Sequence, residues 1–393
     1  MRRRAGFTLV FPLFLLAAAT LRAQPPATAA GNATWLDAYR DPAARLIGEA
    51  VSSTFAWDRL SVLTDTIGNR LSGTPALDRA IQWAVTEMNK DGLENVHTER
   101  VMVPKWVRGS ESAEIVEPAR HPMVMLGLGD SVGTTGDGVQ AEVAVVHTFD
   151  ELDAKGASLR GKIVLFNVPY TNYGETVRFR SGGPSRASRY GAVAMLIRAV
   201  GPAGLRTPHT GALQYAGDAR KIPAAAISSE DADRLQRMAD RGSKIVVRLK
   251  MEAHFDADAE SANVVGEIRG RERPDEVVVV SGHLDSWDVG AGATDDGGGC
   301  VVTWEALRIM KKLNLRPRRT VRVVLWTNEE NGGRGGLAYR DQHRADLGKH
   351  VMMLESDGGV FRPLGFGFTG NEAGRETVKA ISTLLTGIAA DQI

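Results

Sequence analysis

His283-Leu284-Asp285, Asp295-Asp296, Glu329-Glu330 and Glu355-Ser356-Asp357 offer imidazole nitrogen and carboxylate oxygen but no thiolate. That donor set suits a zinc-like divalent cation. His283 and Asp285 are two residues apart, so in an extended chain both side chains point to the same side. The Asp285 carboxylate can then accept the second ring N–H of His283, fixing its tautomer and raising its basicity. Glu329 and Glu330 are adjacent, so in extended backbone their side chains diverge. One can bind metal while the other faces a metal-held water. A Lewis acid beside a carboxylate base is what metal-assisted hydrolysis needs.

Three apolar runs must position these groups. Val277–Val280 leads into Ser281-Gly282-His283, Thr320–Trp326 into Thr327-Asn328-Glu329, and His350–Leu354 into Glu355-Ser356-Asp357. In Val277–Val280 and Thr320–Trp326 the continuous apolar run is the pattern of a parallel strand buried on both faces, and His350–Leu354 reads as a further strand. Helical stretches, Trp304–Leu313 and Leu337–Arg344, separate the runs. The alternation predicts an α/β fold with a mixed, mostly parallel sheet and helices on both faces. In such sheets ligands bind beyond the carboxyl ends of the strands. One acid at a strand end is ordinarily a cap or a solvated charge. Acids or His at three strand ends, with an Asp pair in the intervening loop, fit that reading poorly. Gly297 to Gly299 lack the Lys and Ser/Thr of a phosphate-binding P-loop.

The rest of the chain sets the context. Its 393 residues carry Lys+Arg 48 against Asp+Glu 47, so bulk charge points to neither nucleic acid nor an anionic membrane. The cluster of Arg316, Arg318 and Arg319 reads as a solvated loop. The single cysteine, Cys300, excludes an intrachain disulfide and a cysteine-rich metal site, and reads as a small buried packing residue. Arg2 to Arg4 precede an apolar run, Phe7 to Ala19, and small residues follow. Residues 1–23 are therefore expected to be a signal peptide, and the protein to be secreted or periplasmic, with no membrane contact after cleavage. Residues 24–35 read as a flexible leader. Thr74-Pro75 opens a helix through about Asn89, and His97 to Val103 alternates as a half-buried strand. Between residues 119 and 252 short strands alternate with glycine-rich turns: 141–146, 162–166, 192–197, 224–227 and 245–249. Helices are expected near 184–190 and 230–239. That segment reads as an insert between 36–118 and 253–393.

SGHLDSWDVGAGATDDGGG, LWTNEENGG and ESDGG closely resemble the co-catalytic zinc peptidases of the aminopeptidase and glutamate-carboxypeptidase type. The resemblance extends to NRLSGTPALDRAIQWAVTEMNKDGL, KIVLFNVPY, SRYGAVAMLIRAV, PHTG and LRPRRTVRVVLWT, and so covers nearly all of the chain after the signal. It implies a zinc-exopeptidase fold with a protease-associated-type insert at 119–252. It also implies two Zn2+ ions, with His283 and Asp357 on one, Asp295 bridging, and Glu330 on the second. Glu329 would be the general base, Asp285 would orient His283, and the peptide before Asp296 would be cis. The implied activity is removal of residues from dipeptides or short peptides as a carboxypeptidase or dipeptidase, with an aminopeptidase as the alternative, and the implied assembly is a homodimer.

The family's second zinc takes a further His well downstream of the Asp357 position. This sequence has no His after His350 and stops at Ile393, just after an expected helix from Glu376 to Ile388. The expectation is therefore a chain truncated at its C-terminus and short of one ligand. His343 and His350 precede Asp357 and are not promoted to ligands. A non-catalytic binding module is the alternative that the missing ligand raises. A one-zinc transferase resembling glutaminyl cyclases fits the insert and the HLDSWDVG and NEENGG context poorly. His209 reads equally as a loop residue or a cleft contact, and Trp287 as a pocket or a packing residue.

Overall fold

The computed structural model describes residues 34–393, so the expected signal peptide lies outside the described residues, as does most of the leader. The strands are β1 (Glu94–Val107), β2 (Glu111–Glu117), β3 (His121–Met123), β4 (Met125–Gly127), β5 (Val139–Val146), β6 (Ile163–Phe166), β7 (Ala194–Arg198), β8 (Ala224–Ile227), β9 (Val246–Met251), β10 (His254–Ile268), β11 (Arg273–His283), β12 (Arg319–Trp326) and β13 (His350–Glu355). The helices are α1 (Asp37–Ser52), α2 (Phe55–Val62), α3 (Pro75–Lys90), α4 (Phe149–Lys155), α5 (Tyr173–Arg189), α6 (Ser229–Asp240), α7 (Gly298–Lys312), α8 (Arg334–Gln342) and α9 (Glu372–Ser382).

Among the described residues two compact units result, Arg45–Pro363 and the residues up to Ala44 with Leu364–Ile393. Within the larger unit, the first sheet has the order β1-β10-β12-β11-β13. β1/β10 and β10/β12 are antiparallel, whereas β12/β11 and β11/β13 are parallel, so the sheet is mixed. Register pairs His283 with Trp326 and Ser281 with Glu355, which brings the carboxyl ends of β11, β12 and β13 to one edge.

Two-residue alternation decides which helix covers which face. Val264, Val323 and Leu325 pack with Leu77, Ala80, Ala84 and Met88 of α3 and with Trp304 and Leu307 of α7. Val265, Val277, Val279, Val324 and Trp326 face the other way, against Tyr339 of α8. Each such buried aliphatic side chain contributes about 1.5–3 kcal/mol relative to exposure. α3 starts where Thr74 accepts the Leu77 amide at 3.4 Å and Pro75 supplies a preset φ.

The second sheet runs β3-β2-β9-β5-β6-β7-β8-β4 over residues 111–251, with β5, β6, β7 and β8 parallel to one another. Ile163, Leu165 and Leu196 line one side, and Val164, Phe166 and Phe179 the other. α5 is longer than the helix expected near 184–190. It starts at Tyr173, where Asn172 accepts the Glu175 amide at 2.9 Å. The smaller unit contains α9, which tightens into a 3-10 turn over Thr383–Ile388. Among the described residues, no helix is long and apolar enough to cross a membrane.

Candidate metal centre

β11 ends on His283, and Asp285 follows; both are fully buried. The loop after β12 supplies Glu329 and Glu330, the loop after β13 supplies Asp357, and Asp295-Asp296 precede α7. His283 Nε2 lies 3.0 Å from Asp295 Oδ1, 3.5 Å from Asp357 Oδ1 and 3.9 Å from Glu329 Oε2. Ligand atoms of His283, Asp295 and Glu330 fall within 4.8 Å of one another, as do those of His283, Asp296 and Asp357. Ligands at about 2.0–2.2 Å from a tetrahedral zinc sit roughly 3.3–3.6 Å apart, so a small contraction would seat an ion. The donor chemistry and the spacing both fit.

The second grouping differs from the one implied by resemblance, because it places Asp296, not Asp295, with Asp357. Both Asp296 oxygens are already taken: Oδ2 accepts the His283 amide at 2.9 Å, and Oδ1 accepts the Gly299 amide at 3.0 Å. Asp296 therefore ties the loop to the strand. The Asp295–Asp296 peptide is cis. The glycine run serves close approach, since a Cβ on Gly299 would come within 1.8 Å of the Ser356 carbonyl oxygen. Any side chain there would push away the loop that carries Asp357.

The expected contact between the Asp285 carboxylate and the His283 ring needs correction. His283 Nδ1 hydrogen-bonds to the Asp285 main-chain oxygen at 3.0 Å, while the nearer carboxylate oxygen is 3.9 Å away. That carboxylate accepts instead from the Glu329 amide at 3.0 Å and the Glu330 amide at 3.3 Å. Two parallel amides at the next strand end bind a carboxylate better than one ring N–H does. Asp285 thus fixes the Glu329-Glu330 turn with its side chain and the imidazole with its backbone.

Two further residues of this framework were not singled out from the sequence. Arg70, fully buried, donates from Nε to Leu284 O at 2.7 Å, from Nη1 to Gly68 O and Ala291 O at 2.7 Å, and from Nη2 to Gly292 O at 3.0 Å. It clamps the loop between His283 and Asp295. Asn328, at φ 60°, donates to Ser72 Oγ at 3.1 Å and Asn331 Oδ1 at 2.7 Å, and turns the chain just before Glu329. NRLSG and TNEENGG contain both residues, but an Arg that binds only carbonyls has no local signature.

The electrostatics are those of a crowded acid site. Burial alone would lower the His283 pKa, but hydrogen bonds to Asp295 and Asp357 with the charges of Asp285 and Asp296 push it up to about 12. Burial and then the Asp295 charge raise Glu330 to about 9, and burial raises Asp296 to about 7. Glu329 is also raised, chiefly by burial. A bound dication would favour the ionised forms of these acids.

The centre opens on a cavity of about 930 Å3 lined by Asp295, Glu329 and Glu330 on one side and by Tyr173, Arg180 and His209 on the other. His209 is thus a cleft residue. Trp287 both lines this cavity and packs against Trp106, with ring centroids 6.3 Å apart. His343 and His350 are engaged elsewhere, with Glu99 at 2.7 Å and the Tyr339 hydroxyl at 2.8 Å. Cys300 is buried, and burial holds its thiol pKa well above the ordinary value.

The family match and the relatives that follow make this protein a metallopeptidase. Residues 263–392 match the sequence model of peptidase family M28. Carboxypeptidase Q of Mus musculus is 48% identical over 350 residues, which span 88% of this chain and 74% of that protein. The chain belongs to peptidase family M28. The crystal structure of a peptidase M28 precursor from Shewanella amazonensis SB2B aligns with TM-score 0.86 and 34% identity, covering 89% of this chain and 81% of that one. A zinc aminopeptidase from Bacillus subtilis shares the fold at TM-score 0.59 and 22% identity, with coverage of 77% and 68%.

Proposed function

We propose that the protein is an exported, zinc-dependent exopeptidase that hydrolyses dipeptides or short peptides as a carboxypeptidase or dipeptidase. The observation that carries this reading is the convergence of His283, Asp295 and Glu330 ligand atoms within 4.8 Å at the wall of a cavity large enough for a short peptide. When bound, zinc polarises the scissile carbonyl and makes a held water acidic enough to attack. His283, Asp295 and Asp357 would hold the first ion, and Asp295 and Glu330 the second. Glu329 takes the proton from the attacking water and passes it to the departing amine as the C–N bond breaks. Asp285 keeps Glu329 in place through the amide it accepts.

On this reading residues 1–23 direct export, and 119–252 form a protease-associated-type insert between the peptidase parts 36–118 and 253–393. A homodimer rests on the resemblance alone. The test is turnover of free and N-acetylated dipeptides by protein stripped of metal and then reloaded with zinc, alongside zinc bound per chain. Hydrolysis should return with zinc; acceptance of N-acetylated dipeptides would make it a carboxypeptidase, whereas a need for a free amine would leave a dipeptidase or an aminopeptidase. Hydrolysis that survives stripping would overturn the zinc reading.

A further inference from the structure

A buried ion pair joins the 119–252 segment to the loop that leads to Asp295. Arg108, the residue after β1, donates from Nε to Asp288 Oδ2 at 2.8 Å and from Nη2 to Asp288 Oδ1 at 2.7 Å. The Arg108 side chain is 9% exposed and that of Asp288 24%. The same guanidinium donates from Nη1 to the Gly127 carbonyl at 2.5 Å and from Nη2 to Thr210 Oγ1 at 3.4 Å. Glu111 of β2 stands 3.5 Å from it and accepts the Gly127 amide at 3.0 Å. Gly127 is thus held at both its N–H and its carbonyl.

Trp287 closes the same joint from the apolar side. It packs edge-on against Trp106, and the Arg108 guanidinium carbon lies 5.0 Å from the Trp106 ring centroid. A Cβ on Gly129 would come within 1.9 Å of the Trp287 ring, so glycine lets the backbone of the 119–252 segment approach that closely. The Gly129 amide donates to Gly211 O at 3.0 Å, and the Leu213 amide donates to Gly129 O at 3.0 Å. The contact is thereby carried on to the 207–211 loop. On the metal side, residues 284–292 lie outside any strand or helix, so side chains must set where they stand. Arg70 holds that loop from behind through Leu284, Ala291 and Gly292, and Arg108 holds it from the cavity side through Asp288.

Trp287 and Val289 line the cavity on the metal side, and Leu126, Thr210 and Gly211 line it on the facing side. Asp288 sits between the first two, and Gly127 follows Leu126, so the two walls are set apart where Arg108 joins them. We propose that Arg108 and Asp288 are a positioning pair that fixes the separation of the metal-bearing loop from the facing wall and so limits the length of peptide that is cut. This rests on the peptidase reading above and adds what selects short substrates. A peptide bond held at His283, Asp295 and Glu330 leaves room for as many residues as fit before the facing wall. A bidentate Arg–carboxylate pair suits that task, because two parallel bonds fix angle as well as distance. Burial protects the pair from screening by salt.

The test follows an alanine series of two, three and four residues in wild type, Asp288→Asn, Arg108→Lys and the double variant. The measurements are kcat/KM with zinc, zinc bound per chain, and calorimetric binding of the reduced-amide peptides of each length to metal-free protein. Wild type should favour the dipeptide steeply. Asp288→Asn keeps the shape and loses the charge. It should shrink the dipeptide-to-tetrapeptide preference about 10-fold, the scale of one charge-assisted hydrogen bond, mostly through KM on the dipeptide and with zinc per chain unchanged. Arg108→Lys keeps the ion pair and loses its second bond, so it should fold even where Asp288→Asn does not, and shrink the preference a few-fold. The double variant should do no more than Asp288→Asn alone, because both changes open one joint. Equal losses at every length, with or without loss of zinc, would make the pair a purely structural support and overturn the proposal. No length preference in wild type, or additive effects in the double variant, would overturn it too. Length-selective binding that these variants relax, in a protein that hydrolyses nothing with zinc, would leave the positioning pair standing and sink the peptidase reading instead.

Discussion

Arg70 and Arg180 are both buried, and neither has a carboxylate partner among the described residues, yet they do opposite work. Arg70 stands behind the strand-end wall and gives its N–H groups to four main-chain oxygens, Leu284, Gly68, Ala291 and Gly292. Its charge lies within electrostatic reach of Asp285, Asp296 and Glu330. Arg180, on the wall built from α5 and the 207–211 loop, leaves Nε without a partner. A satisfied buried cation organises backbone, whereas Arg180 leaves a buried donor unspent. The acids follow the same division. Asp285 and Asp296 are spent on amides, while Asp295, Glu330 and Asp357 keep oxygens free around His283.

The largest effect separates chemistry from architecture within the strand-end wall. Glu329→Gln keeps the size and the backbone amide that binds Asp285, but it cannot take a proton. Turnover should fall about 10²- to 10⁴-fold with zinc content unchanged. Loss of zinc together with turnover would make Glu329 a ligand and merge its role with that of Glu330.

The next effect tests the two arginines against each other. Arg70→Lys keeps the charge but gives up the fork, stranding two or more of the four carbonyls. At about 1–3 kcal/mol per unsatisfied buried group, the unfolding free energy should drop by roughly 2–6 kcal/mol. Arg180→Lys should leave stability within about 1 kcal/mol, because only two oxygens lose a donor and the cavity admits water. Urea unfolding of the two variants checks this; equal destabilisation would erase the contrast.

How much of this was legible follows from the same physics. β11 and β12 announce themselves as apolar runs because both of their faces are covered, and the ligand-bearing ends could be read directly from them. β10 begins at His254, where its first residues are polar and exposed and pair only with β1, so no apolar pattern marked it. α7 begins at Gly298 instead of near Trp304, since glycines that permit close approach hide a helix start. Sequence spacing placed Asp285 beside His283 correctly, but it could not show that two amides from another strand would claim the carboxylate. Arg180 was invisible for a similar reason. An absent partner is a property of the folded cavity, and α5 itself was expected to start near residue 184.

The smallest effect lies where the two walls touch. Asp130, in the loop after β4, accepts from Asn331 Nδ2 at 3.4 Å, one residue beyond Glu330. Burial raises its pKa to about 6, and the Asn331 contact and the Lys221 charge offset this only in part. Between about pH 4 and pH 6 the folded chain therefore holds a proton that the unfolded chain has lost. Binding more protons when folded means that stability falls as pH rises through this window and stays at the lower level above it. Asp130→Asn keeps the shape and cannot ionise, so it should raise the unfolding free energy at pH 7 by about 2–3 kcal/mol and leave it nearly unchanged near pH 3.5. Thermal or urea unfolding across pH 3.5–7.5, variant against wild type, checks it. A gain independent of pH would mean that the Asn side chain improves packing and that Asp130 places no charge under strain between the walls.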